Sequence, residues 1–291
     1  MSANTPRTLA VPRARELVSL GPLLGIGLAT ALVVAPAFAH AIEVWSLDVE
    51  FNYGFFIGPV ALLLVWWRRE ALRRSIGPGA TAGLLIVVGA LVLYILAFRI
   101  GIRALAGLAV IPLLWGIVAY LWGWKALRVL AFPIGFLAFG LGLYRGLLYT
   151  LGFALQQITA FGAATLGSAL GVPVVRDGLI LNSDQFRFVV AEPCSGMSSL
   201  LSLLALSAVW TYVARGTLSA RLAVLFSVLP IVIVANTTRV TLVLLVASWL
   251  GPDAAEGFFH SASSLLLFGV ALSGLLLVSR SAGCKVVSSV A

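Results

Sequence analysis

The chain has 291 residues, 61% hydrophobic and only 10% charged, with a mean hydropathy of +1.10. Soluble domains carry about a quarter charged residues, so this composition excludes one and points to an integral membrane protein that crosses the bilayer several times. Two cysteines cannot build a disulfide framework and two histidines leave little for a metal site, so no cofactor or metal is expected. A net charge of +9 suggests nucleic acid only if the basic residues cluster, so their placement decides that question.

Apolar segments run over Leu17–Ala39, Phe55–Trp67, Ala80–Phe98, Ala104–Trp122, Val129–Leu143, Leu147–Leu170, Ser195–Val213, Leu222–Leu250 and Ser261–Val278. The first ends in Ala37-Phe38-Ala39, which resembles a signal-peptide cleavage site. Its apolar run exceeds the ~7–15 residues of a signal core, so it is kept as a spanning helix. Arg7, Arg13 and Arg15 precede it, Arg68–Arg74 follow the second segment, Arg215 and Arg221 follow Val213, and Arg280 and Lys285 close the chain. Basic residues favour the cytoplasmic side. On that orientation His40–Asn52 and Pro252–His260 are outer loops, and eight of the ten acidic residues lie outside. The positive charge is thus a topology signal, and the expected partner is the lipid bilayer rather than nucleic acid.

Four apolar segments separate Arg74 from the loop before Cys194, yet an odd number must cross to bring that loop outside. Leu147–Leu170, interrupted by Gln156, Gln157, three threonines and a serine, is the weakest. It is read as a helix lying on the outer membrane surface. The expected fold is therefore an all-α polytopic membrane protein with about eight transmembrane helices, residues 1–291 forming one integral membrane domain. Residues 171–193 differ: Asp177-Gly178 between short β-branched runs predicts a small extracytoplasmic β-hairpin leading directly into Cys194.

Three polar groups stand out. Cys194 sits in "EPCSGMSSL", where Pro193 fixes the chain's entry, Ser195 can cap a helix and Gly196 permits close backbone approach. A thiol in the first turn of a helix is expected to have a lowered pKa, and the free N–H groups there can receive an oxyanion. A buried, inert cysteine is the plain alternative. Arg239 lies inside an apolar run, with Asn236 one turn earlier on the same face. It is either a snorkelling side chain or part of an interior polar site. His260, at the outer start of the last segment, is suited to proton exchange or is simply a wet interfacial residue. His40 is a substitute on the same side, whereas Cys284 falls on the cytoplasmic side and is read as incidental.

"EPCSGMSSL" (Glu192–Leu200), "NTTR" (Asn236–Arg239), His260 and the preceding "GVPVVRDGLI" together resemble the exosortase/archaeosortase family of membrane cysteine transpeptidases. Weaker similarity reaches back to "FNYGFFIGPVALLLVWWRR" (Phe51–Arg69), where Tyr53 stands in place of the family's histidine. The resemblance implies a protein of the prokaryotic cell membrane with its active site on the extracytoplasmic face. Its substrates would be membrane-anchored proteins ending in a sorting signal: a short motif, a transmembrane helix and a basic tail. Cys194 would be the nucleophile forming a thioester, His260 the acid/base, and Arg239 the group that stabilises the oxyanion or orients substrate. Glu192, Ser195, Gly196 and Asn236 would support them, and an unidentified acceptor nucleophile would take the product. A membrane transporter and a structural scaffold are the alternatives; the first needs carboxylates within its spans, and the second gives Cys194 no role.

Overall fold

The computed structural model describes residues 14–141, 145–191, 194–258 and 264–286. Its helices are α1 (Ala14–Leu47), α2 (Gly54–Trp67), α3 (Arg69–Ser75), α4 (Ala82–Arg99), α5 (Arg103–Gly135), α6 (Arg145–Ala169), α7 (Met197–Val213), α8 (Leu218–Leu250), α9 (Pro252–Phe258) and α10 (Ser264–Ser281). By length and composition, Leu24–Leu47, Ala82–Arg99, Arg103–Gly140 and Leu218–Leu250 can each cross a membrane. Three shorter apolar helices, Gly54–Trp67, Met197–Val213 and Leu267–Ser281, accompany them. The chain is a multi-pass membrane protein.

Helix α5 is two helices in series, because Gly123 is non-helical (φ 81°, ψ 176°). The halves fold back on each other: Trp115 Nε1 donates to Ala131 O at 3.1 Å, and Gly107 lies against Leu141. A left-handed φ is tolerated by glycine alone among common residues, so this one position turns a long helix into a hairpin. The expected segment Ala104–Trp122 lies on its first arm, and the part of Val129–Leu143 up to residue 135 lies on its second. The first arm packs on α4 through Gly83 and Gly116 at near-backbone contact; a Cβ built on Gly116 would lie 2.8 Å from Val87 N. Small residues permit such close approach between membrane helices. Gly116→Val should therefore lower stability by about 1–3 kcal/mol, read as a lower Tm in detergent. Gly89→Ala on α4, where an added Cβ meets nothing within 4 Å, should not.

Helix α1 continues eight residues beyond its expected end, so His40–Leu47 are helical rather than loop. Trp45 explains the extension: its Nε1 donates to Gly140 O at 2.7 Å, anchoring that last stretch to the turn after α5. The Tyr53 hydroxyl likewise donates to Phe139 O at 3.0 Å. The segment Pro252–Phe258, expected as loop, is the short helix α9, with proline at its first position after Gly251.

Basic residues Arg68, Arg215 and Lys285 each lie at the end of an apolar helix or in the short strands beyond it. Arg68 donates from Nε to the Tyr212 hydroxyl at 3.1 Å and lies 4.9 Å from the Trp67 and Tyr212 ring centroids. Nearby in sequence, β4 (Ala214–Arg215) pairs antiparallel with β5 (Lys285–Val286).

The segment before Cys194 is richer than a hairpin. Strands β1 (Val175–Asp177), β2 (Ile180–Asn182) and β3 (Arg187–Val189) form an antiparallel meander, with Asp177 opposite Ile180 across the Gly178-Leu179 turn. The expected hairpin is present, and β3 was not anticipated.

Helix α7 starts beside the middle of α8, where Gly196 abuts Asn236. The rest of α8, Thr237–Leu250, continues past that level for ~20 Å at 1.5 Å per residue. Helix α6 runs alongside this extension: Thr159 meets Asn236, Gly162 meets Thr237 and Gly167 meets Leu244. This corrects the expectation of a helix lying along the membrane surface. The small face of Ala160, Ala163 and Gly167 lets it pack lengthwise on α8, and its polar groups are spent within the protein, Gln157 Oε1 accepting from Arg176 at 3.0 Å.

Candidate active site

Cys194 occupies the corner between the β-meander and α7. It is 2% exposed and sits in an apolar cluster with Ala160, Ala163, Leu181, Val190, Val240 and Leu244, contributed by α6, the sheet and α8. Its backbone N–H donates to Ala191 O at 2.8 Å. Gly196 is the N-cap of α7 in the left-handed region (φ 77°), and the Ser195 hydroxyl accepts the Met197 N–H at 3.1 Å. Proper capping thus comes from Ser195, one residue ahead of the N-cap itself. The helix begins at Met197, so Cys194 lies three residues before it rather than in its first turn.

That shift changes the electrostatics expected for the thiol. Burial pushes the Cys194 pKa up; the Arg239 charge and a backbone hydrogen bond from Ala191 pull it down without overcoming the burial. The helix-dipole reading, which expected a lowered pKa, is corrected on this point: the thiol has left water before it gains its cation. Since the native pKa is raised above the unfolded one, the native state holds the proton more tightly. The associated stability is present below the unfolded thiol pKa and is lost as pH rises through the native one. Alkylation of Cys194 by iodoacetamide should accordingly follow pH with a midpoint above that of a free cysteine; a midpoint at or below it contradicts this electrostatic picture.

Asn236, 1% exposed, ties the corner to α8. Its Nδ2 donates both to Cys194 O at 2.6 Å and to Thr159 Oγ1 at 3.0 Å. Its Oδ1 is buried with no hydrogen-bond partner among the described residues. A Cβ on Gly196 would lie 3.1 Å from Asn236 Cγ, so glycine is required there by both φ and space. Arg239, one turn on and 6% exposed, brings its charge to the thiol.

The structure therefore brings together Cys194, Ser195, Gly196, Asn236 and Arg239. Glu192 and His260 lie outside the described residues. His40 is elsewhere, its Nδ1 3.4 Å from Glu43 Oε2 on α1. Thr159 was missed by sequence reasoning; it lies in the polar interruption of α6 that was taken as an interfacial signal. No group of three His, Cys, Asp or Glu able to hold a metal ion occurs among the described residues.

A family model described as transmembrane exosortase matches residues 45–277, well over half of the chain and spanning the meander, the Cys194 corner and α8. The chain belongs to the transmembrane exosortase family. No curated protein and no solved structure matches it. Membership in the exosortase family implies, in general terms, a membrane sorting transpeptidase acting on membrane protein substrates.

Proposed function

We propose that this exosortase is a cysteine transpeptidase that cleaves the C-terminal sorting signals of exported, membrane-anchored proteins through a thioester on Cys194. The observation that carries this reading is a buried thiol with a buried guanidinium acting on it, both fixed to one helix, in a segment otherwise built to be apolar. A buried guanidinium is costly to hold in a membrane protein, and its placement beside the thiol is read as functional.

The proposed orientation puts the basic end of the bundle, with Arg68 and Arg215, in the cytoplasm. The two arms of α5 then count separately, giving eight crossings, and α6 and the outer half of α8 stand on the extracytoplasmic side with Cys194 at their base. A substrate held by its own transmembrane helix presents its junction at a fixed depth, which raises its effective concentration at the site.

In the first step His260 takes the Cys194 proton as Sγ attacks the scissile carbonyl; the C–S bond forms and the C–N bond breaks. Arg239 stabilises the oxyanion, and His260 delivers the proton to the leaving amine. An acceptor amine then attacks the thioester, or water hydrolyses it, and the thiol is regenerated. Asn236 Oδ1 offers an acceptor to a substrate N–H beside the thiol. Because Cys194 is covered, the substrate must part the covering side chains, and the dry pocket that results favours transfer over hydrolysis.

The decisive test co-expresses the protein with exported chains ending in motif, helix and basic tail, quenches in acid and searches for the acyl-enzyme by mass spectrometry. A hydroxylamine-labile adduct on the Cys194 peptide is expected. Finding substrate processed with no dependence on Cys194 would sink the reading.

A further inference from the structure

Between α1, α2, the first arm of α5 and the turn that follows α5 lies a cavity of ≈ 120 Å³, walled by Val34, Phe38, Ile57, Val110, Ile111 and Leu137 among others. All its lining side chains are apolar except for Trp45 Nε1, which is already donated to Gly140 O. It adjoins a second cavity of ≈ 80 Å³ that shares Ala37, Ala41, Gly107 and Leu141 with it and is lined by His40 and Arg103. Glu43 stands beside that mouth, 3.9 Å from Arg103 Nη1.

The two cavities are graded along the bundle axis. His40 and Arg103 sit near the end of α1 and the start of α5, while Val34 and Ile111 lie deeper by ~9–12 Å at 1.5 Å per residue. The rim is open: Phe38 is 55% exposed and Arg103 62% exposed. A space that is apolar in its depth and presents the Arg103 guanidinium at its mouth is complementary to one hydrocarbon chain with a phosphate at its end. A guanidinium at the mouth of such a pocket can give a headgroup phosphate a bidentate, charge-assisted hydrogen bond. Much of the wall, including Val34, Phe38 and His40, precedes residue 45, where the family match begins, so the feature is not explained by that match.

We infer that this paired cavity is a phospholipid site, in which one acyl chain fills the apolar pocket and the phosphate binds Arg103 at the mouth. The inference is independent of the chemistry at Cys194. Glu43 modulates the mouth: it shares Arg103 with the phosphate and disfavours an additional negative charge.

Gly58 supplies the test, since it lines the cavity and a Cβ added there meets nothing within 4 Å. Gly58→Leu should plug the pocket without disturbing α2. Full-length protein in detergent is titrated with dioleoylphosphatidylglycerol or with dioleoylglycerol, which lacks the phosphate, following Tm and bound lipid by native mass spectrometry. Wild type should gain Tm with the phospholipid and bind it more tightly than dioleoylglycerol. Gly58→Leu should lose that gain while keeping a lipid-free Tm at least equal to wild type. Arg103→Gln, at an exposed position, should weaken phospholipid binding about fivefold and leave dioleoylglycerol unchanged. The inference is overturned if Gly58→Leu retains the gain, if Arg103→Gln binds phospholipid as wild type does, or if detergent alone stabilises equally. Conversion of a dimer to a monomer by the plug would overturn it too, by identifying the occupant as a second copy.

Discussion

Cys194→Ala should abolish processing of C-terminal sorting signals, a loss of roughly 10³-fold or more, while Cys284→Ala processes as wild type. A nucleophile that forms the covalent intermediate cannot be replaced by the rest of its site, so its removal costs about as much as removing the whole constellation. The variant should also fold. Cys194 is small and lies among alanines and valines, and its backbone bonds to Ala191 O and Asn236 Nδ2 do not involve sulfur. Loss of activity with an unchanged Tm therefore separates chemistry from stability. Cys284 is buried against Gly216 beside the β4–β5 pair, three residues past the end of α10. Equal processing by both variants would transfer the nucleophile's role away from Cys194.

The second large effect is expected at Arg239. Arg239→Gln should lower processing by roughly 10²–10³-fold, the usual loss on removing one preorganised charge that stabilises an oxyanion. It should also raise the pH midpoint of Cys194 alkylation, because the guanidinium is what offsets the burial of the thiol. A merely structural arginine would move Tm but not that midpoint. Arg239→Lys should restore part of the midpoint and less of the activity, since an ammonium keeps the charge and loses the planar fork. An unchanged alkylation profile in Arg239→Gln would show that the charge does not act on the sulfur.

Much of this architecture was legible. Apolar runs located the helices, since membrane spans advertise themselves by length, and Gly178 marked the turn of the meander because its positive φ favours glycine. Cys194, Asn236 and Arg239 stood out as polar groups where polarity is expensive. What was not legible depended on contacts. Gly123 reads like any glycine in an apolar stretch, and only its φ reveals a hairpin. The polarity of α6 resembled an interfacial helix because sequence does not say that Gln157 is spoken for by Arg176 and Thr159 by Asn236. The direction of the thiol's pKa went astray for a similar reason. A helix terminus was inferred correctly to within three residues, yet that offset and the surrounding Leu181, Val190 and Leu244 side chains make desolvation the dominant influence.

The two hydrogen bonds that Asn236 donates, to Cys194 and to Thr159, have a mechanical corollary. Bilayers of different thickness tilt the helices that cross them, and a nucleophile on one helix facing a cation on another would drift out of register as lipid composition changed. Here the carbonyl of Cys194 is strapped to the same rod that carries Arg239, so sulfur and guanidinium tilt as a unit. The enzyme's sensitivity to membrane thickness should consequently lie in how substrates arrive, and not in the alignment of its own reacting groups.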